Sequence, residues 1–386
     1  MKGGAVELAF VQAVSELLQQ LVRIPSVNPD GDPGTDRCGE QQLADWLAKF
    51  LGDAGFAVTL EEVHPGRPNL IARCPGPEER PRILLGPHLD TVGVGGMTID
   101  PFAAEIRDGK LWGRGASDTK GPMAAMIWGL LANRDRLADL PIAVDFVAFM
   151  SEESHQWGSK HFVKHHGSEY QFAIAGEPTS LDVVRVTKGS LWVTLVATGI
   201  SGHASQPERG DNAIMKLVHA LDVLERDLAV RLQAFTHPVL GSSTLNVGMI
   251  GGGTRPNIIP DRATAQLDIR FVPDLVADGT ALDFVKGFVS EHGLPLEVTR
   301  PTENPPMEVS ADHEWLQRLG AIHPDSRLVG APWFSDAAQL NDGGVASVCL
   351  GPGSIDQAHT RDEFIEIAEL ERGAEFFAKL VRELGG

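Results

Sequence analysis

Two side chains of contrasting chemistry, His88 and Asp90, stand two residues apart in the stretch Leu-Leu-Gly-Pro-His-Leu-Asp-Thr-Val (84–92), just after an apolar run. On an extended chain that spacing turns both to one face. Taken alone, such a pair reads as a satisfied structural histidine beside a solvated acid. It does not stand alone. Asp118, the adjacent Glu152 and Glu153, and Glu177 end similar apolar runs, and His359 follows the run 346–350 and a Gly-Pro-Gly turn. Aspartate and glutamate are among the residues least often buried unless paired or metal-bound. Carboxylates that converge need cations to stay ionised together. These groups read as a two-metal site.

The elements that must position them alternate along the chain. Helical periodicity marks 6–22 through Leu8, Val11, Val14, Leu17, Leu18 and Leu21, and a second helix is expected over 41–54. Apolar runs at 56–63, 69–74, 83–86, 142–150 and 172–175 alternate with helical stretches at 119–133 and 156–166. The pattern predicts an α/β domain with a mostly parallel sheet covered by helices. In such sheets ligands gather at the carboxyl ends of the strands, where His88, Glu152, Glu153 and Glu177 all fall. The middle of the chain differs, with strand patterns at 191–198, 243–250, 264–271 and 294–298 and helices at 212–228 and 274–292. Two helices on a small antiparallel sheet predict a separate α+β domain. The expected division is 1–182 and 301–386 for the catalytic domain and 183–300 for the insert.

The 386-residue chain is longer than one core usually supports, and 42% apolar content is ample for burial. Its net charge of -19, from 33 basic and 52 acidic residues, argues against nucleic acid or an anionic membrane as partner. Cys38, Cys74 and Cys349 are widely spaced and few, which points to a reducing compartment. No apolar run approaches the ~20 residues that span a bilayer, and no signal-peptide pattern opens the chain. The expected location is cytoplasmic.

The segment Asp-Gly-Lys-Leu-Trp-Gly-Arg-Gly-Ala-Ser-Asp-Thr-Lys-Gly (108–121), with Ser-Glu-Glu (151–153), Gly-Glu-Pro-Thr (176–179) and Gly-His-Ala-Ser-Gln-Pro (202–207), resembles a metallohydrolase signature. In motif order the chain is similar, nearly end to end, to the dinuclear zinc family of acetylornithine deacetylases, succinyl-diaminopimelate desuccinylases, aminoacylases and glutamate carboxypeptidases. The resemblance implies that His88, Asp118 and Glu177 hold one Zn²⁺ and that Asp118, Glu153 and His359 hold the other, with Asp118 bridging. Imidazole and carboxylate donors suit zinc independently of it, and Co²⁺ or Mn²⁺ could occupy the same positions.

The resemblance also implies that Asp90 orients the histidine ligand and that Glu152 is the general base acting on a metal-bridging water. His203 would stabilise the oxyanion in a partner subunit's site, which implies a homodimer. Asn257 and Arg270, in Gly-Thr-Arg-Pro-Asn-Ile-Ile-Pro (253–260) and Asp-Ile-Arg (268–270), would hold polar groups of the substrate, and Gly353 could add a backbone N–H. Read without it, His203 is a turn histidine, Arg270 closes a strand on the surface, and Gly351-Pro-Gly353 is an ordinary turn. The chain departs from the family at Pro87, where glycine is usual, and at Ser154-His155-Gln156-Trp157, where small residues are usual. His155 and Trp157 either shape substrate choice or pack the following helix.

The implied function is a metal-dependent amidohydrolase acting on an N-acyl amino acid, with acetylornithine-deacetylase-like activity. The alternatives are a dipeptidase, a glutamate-carboxypeptidase-type exopeptidase or a succinyl-diaminopimelate desuccinylase. A non-catalytic binding protein is the reading from another class. It is disfavoured because Glu152 and every expected donor are present.

Overall fold

The computed structural model describes residues 13–30, 35 and 37–385. Contacts divide the chain into two compact units, one of 1–185, 309–329 and 335–386, the other of 186–308 and 330–334.

The first unit is built on β1 (Ala57–His64), β2 (Arg67–Arg73), β3 (Arg82–Gly86), β4 (Ala143–Ala148), β5 (Tyr170–Ala175), the first three residues of β6 (Val183–Thr187) and β7 (Ser347–Cys349). They lie in the order β1-β2-β4-β3-β5-β7-β6 within a nine-stranded sheet. The four central strands β4, β3, β5 and β7 run parallel, whereas β1 with β2, β2 with β4, and β7 with β6 pair antiparallel. Every residue of β3, β4 and β7 is buried. Strands covered on both faces must read as continuous apolar runs, which is why their sequences show no alternation.

Helices supply the cover: α1 (Val14–Val22), α2 (Gln41–Asp53), α3 (Lys120–Leu131), α4 (Trp157–His166), α5 (Asp336–Asp342) and α6 (Ile367–Glu383). Leu17, Leu18 and Leu21 bury one side of α1 as the periodicity requires; Leu8 and Val11 lie outside the described residues. α3 is apolar nearly all round and almost wholly buried, the signature of an interior helix. It packs against both α1 and α6. Gly129 makes the second contact possible, since a Cβ there would sit 2.6 Å from the backbone of Phe377. Lys120 opens α3 fully buried, its Nζ donating to the carbonyls of Leu21 (3.1 Å) and Ile24 (2.7 Å) at the end of α1. The Leu21 carbonyl also accepts the Ile24 N–H at 3.2 Å, so the amine adds a second donor at a helix end where few are available. Burial pulls the Lys120 amine down to about 7.

At the amino ends of the parallel strands Asp145 is fully buried yet saturated. It accepts from Arg82 Nη1 (2.9 and 3.1 Å), the Cys74 N–H (2.7 Å) and the Tyr170 hydroxyl (2.9 Å). A buried carboxylate is tolerable on such terms, and this end of the sheet carries structure rather than chemistry.

The second unit has a four-stranded antiparallel sheet in the order Thr244–Gly252, Arg262–Phe271, Gly189–Thr198, Leu296–Asn304. Leu191, Val193, Leu195, Leu267, Ile269 and Phe271 pack against Leu224, Leu228, Val285 and Phe288 from its helices. The helix expected to end at 228 continues through a π turn at Leu224–Leu228 to Gln233. The one expected over 274–292 is broken: a 3₁₀ turn at Pro273–Val276 precedes a helix at Ala281–Glu291, whose Thr280 accepts the Asp283 N–H as N-cap. Asp278-Gly279 lies in the break, where glycine lowers helical propensity. A three-stranded sheet of Glu105–Arg107, Lys110–Trp112 and Phe364–Glu366 in the first unit was not foreseen. Its strands are three residues long, too short for a periodicity to register.

Candidate metal and catalytic site

Each parallel strand delivers a functional group at its carboxyl end. His88 follows β3, Glu152 and Glu153 follow β4, Glu177 follows β5, and His359 follows β7 beyond Gly353. Asp118 arrives on the loop that opens α3. Strand polarity therefore gathers residues distant in sequence.

His88 Nε2 lies 3.1 Å from Asp118 Oδ1, and His359 Nε2 lies 3.0 Å from Glu153 Oε2 and 3.4 Å from Asp118 Oδ2. His88, Asp118 and Glu153 each offer a donor atom within 4.8 Å of the others. Among the described residues no other three His, Cys, Asp or Glu side chains meet that condition. Asp118 thus stands between the two histidines. Ser151 and His359 hold left-handed backbone conformations, with φ of 63° and 59°. Such conformations are uncommon outside glycine and cluster at functional sites.

Asp90 is fully buried and does more than the sequence suggests. Its carboxylate accepts the N–H groups of Glu152 (3.0 Å) and Glu153 (3.1 Å) and the Asn28 amide (2.6 Å). His88 Nδ1 lies 2.9 Å from the Asp90 main-chain carbonyl and 3.6 Å from its carboxylate, so the carbonyl makes the nearer contact with the ring. With Nδ1 engaged there, Nε2 is the nitrogen turned to Asp118.

The electrostatics show crowded like charges. Burial, reinforced by Glu177, Asp336 and Glu153, pushes the Glu152 carboxyl well above the usual carboxylate range. Glu177 is displaced upward by burial and by Asp118, Asp336 and Glu153. Burial and the Asp118 charge lift Glu153 to about 7. Asp118 moves the other way: burial would raise it, but the hydrogen bonds of His359 and His88 together hold it below the usual range. One oxygen of Glu153, Oε1, is buried without a hydrogen-bond partner. An orphaned carboxylate oxygen among acids that repel one another is what a bound cation would satisfy. The donor set of imidazole and carboxylate fits zinc-type ions.

Several residues at the site escaped the sequence reading. Gln339 Nε2 donates to Gln156 Oε1 (2.7 Å), which orients the Gln156 amide toward Glu152 Oε1 at 3.4 Å. Asp336, buried and lifted to about 7 chiefly by burial, accepts from Ser159 Oγ at 2.5 Å. Glu363 collects donors from the Asp118 loop. Only Glu363 carried a signal, an acid four residues beyond His359. Trp157 lies in a stack with His155 (4.4 Å between centroids) and His64 (5.1 Å) at the start of α4, as a packing residue would.

The remaining residues expected at the site are placed as follows. Gly353, at φ 91°, gives its carbonyl to the Ser180 N–H at 2.7 Å. In the second unit His203 is exposed, its Nδ1 within 2.7 Å of Ser205 Oγ. Asn257 offers its carbonyl to the Ala204 N–H (3.1 Å), and Arg270 is held by Asp268 at 2.9 and 3.1 Å.

Residues 84–383 match Peptidase family M20/M25/M40. The chain is 32% identical over 383 residues to an acetylornithine deacetylase from Proteus mirabilis, covering 95% of each sequence. Its fold is similar to that of an M20-family metallo-carboxypeptidase from Sulfolobus solfataricus, with a TM-score of 0.79 at 18% identity over 95% of this chain and 98% of that one. A dinuclear-metal-binding peptidase of the M20 family from Bacillus subtilis superposes with a TM-score of 0.65 at 17% identity, over 96% of this chain and 97% of that one. The chain belongs to Peptidase family M20/M25/M40 and is a metal-dependent hydrolase.

Proposed function

We propose that this hydrolase removes the acyl group from an N-acylated amino acid, as the name of its Proteus mirabilis relative describes for that protein. The observation that carries the reaction is the placement of Glu152. It is buried, adjacent in sequence to a member of the donor cluster, and held by its N–H on the same Asp90 carboxylate that holds Glu153. Neighbouring carboxylates thereby take opposite tasks.

His88, Asp118 and Glu177 would hold one cation and Asp118, Glu153 and His359 the second, with Zn²⁺ the first choice and Co²⁺ or Mn²⁺ able to replace it. Such ions, when bound, polarise a scissile carbonyl and make water nucleophilic at neutral pH. Glu152 takes the proton of the attacking water as the C–O bond forms, then delivers it to the nitrogen as the C–N bond breaks. A carboxylic acid and a free amine result. Asn257, Arg270 and Gly353 are proposed to hold polar groups of the substrate. His203 is proposed to stabilise the oxyanion across a homodimer, with the second unit serving as the dimerisation and lid domain. Three free cysteines accord with a cytoplasmic setting.

The test is amine release from N-acetylornithine, N-succinyl-diaminopimelate, simple N-acetyl amino acids, dipeptides and glutamate conjugates, with Zn²⁺ or Co²⁺ and an EDTA control. EDTA-sensitive turnover confined to N-acetyl substrates supports the proposal; turnover of dipeptides or glutamate conjugates alone replaces it with an exopeptidase. Glu152→Gln should retain metal and fold while kcat falls about 10²-fold or more. Near-wild-type kcat would remove Glu152 from the reaction.

A further inference from the structure

Glu363 lies on the same segment as His359, four residues further on, and is completely buried. Both of its carboxylate oxygens are filled by donors from the segment that carries Asp118. Oε1 accepts the N–H groups of Ser117 (2.7 Å) and Asp118 itself (2.8 Å). Oε2 accepts the N–H of Gly115 (2.9 Å) and Nη1 of Arg114 (2.8 Å). Arg114 in turn reaches the Thr360 carbonyl through Nη2 (3.2 Å) and the Gly93 carbonyl through Nε (3.0 Å). Immediately after Glu363 the strand Phe364–Glu366 pairs with Lys110–Trp112, the strand that leads into the Asp118 loop.

Asp118 and His359 are therefore carried by two segments joined at one buried carboxylate, although 241 positions separate them in sequence. Four donors on two oxygens fix a loop in orientation as well as position, because each N–H has a required direction. We propose that Glu363 is a positioning residue for the metal site: it sets the Asp118 carboxylate against the His359 imidazole at the spacing a shared cation requires. The proposal rests on the reading of Asp118 as a metal ligand. A residue that only braced the fold would support the loop without altering what Asp118 and His359 bind.

The experiment is titration of the full-length, metal-stripped protein with Co²⁺, following the visible absorption spectrum and a competing chelator. In Glu363→Asp the charge remains but the shorter side chain cannot reach all four donors. Co²⁺ affinity should fall about 10- to 100-fold, the range for residues that support metal ligands, and the absorption bands should shift. Tyr170→Phe, which removes a buried hydrogen bond to Asp145 at the opposite end of the sheet, should lower the melting temperature and leave Co²⁺ affinity and spectrum as in wild type. If Glu363→Asp behaves like Tyr170→Phe, the positioning role is overturned. If Glu363→Asp does not fold, Arg114→Lys gives the same readout, with weakened Co²⁺ binding expected and wild-type binding overturning the proposal. Failure of the underlying reading has its own signature: wild type that takes up no Co²⁺, or Asp118→Asn that binds it as wild type does, overturns the metal-site assignment itself.

Discussion

His359, at the level of one residue, is a proposed ligand that must lose its proton before it can hold a cation. Its bonds to Asp118 and Glu153 raise the imidazole to about 10. In metal-free protein the ring is therefore protonated through neutral pH. A raised histidine contributes stability fully below its ordinary value of about 6.5, and that contribution is lost as pH climbs through about 10. A cation needs the neutral ring, so loading at pH 7.5 must expel that proton. Calorimetric titration of Zn²⁺ in two buffers of different ionisation enthalpy should show net proton release, and affinity should rise with pH. Buffer-independent heats would mean that His359 is not a ligand. Asp90 carries a related lesson. The His-x-Asp spacing was legible as a pair on one face, but the sequence had no means of showing that the Asp90 carboxylate anchors the backbone of Glu152 and Glu153.

Among the elements, α3 matters most to the site because it begins two residues after Asp118 and is enclosed by α1 and α6. Its composition is too uniformly apolar for a helical period to show, so which neighbours cover it had to come from packing. Gly129→Ala places a methyl group against the Phe377 backbone, and overpacking of this kind costs about 1–3 kcal/mol. Thermal unfolding followed by circular dichroism should show a lowered midpoint; an unchanged one would mean that α6 yields without cost. The parallel strands were readable for the opposite reason, as short apolar runs each closed by a polar group. The reading failed over 274–292, where apolar spacing ran on across a glycine that the backbone uses as a break.

At the scale of the whole molecule, the second unit exposes Val247, Met249 and Ile250 on an outer strand of its sheet, with Met215 and Val218 exposed on a neighbouring helix. An exposed apolar edge strand is a liability unless another chain covers it, and this is the surface we assign to the proposed homodimer. Met249→Lys with Ile250→Lys should shift sedimentation from dimer to monomer with secondary structure intact. Hydrolase turnover should fall with it if His203 acts across the interface. A wild-type monomer in sedimentation would overturn both assignments. What the sequence by itself determined is the alternation of strands and helices and the presence of acidic and histidine side chains at strand ends, because both are local: periodicity and residue type need no partner. What only the tertiary structure decided is which distant segments meet. The sharing of Asp90 between two glutamates, the junction at Glu363 and the orientation of Gln156 by Gln339 are contacts across many tens of residues. Chain folding creates them, and no local pattern encodes them.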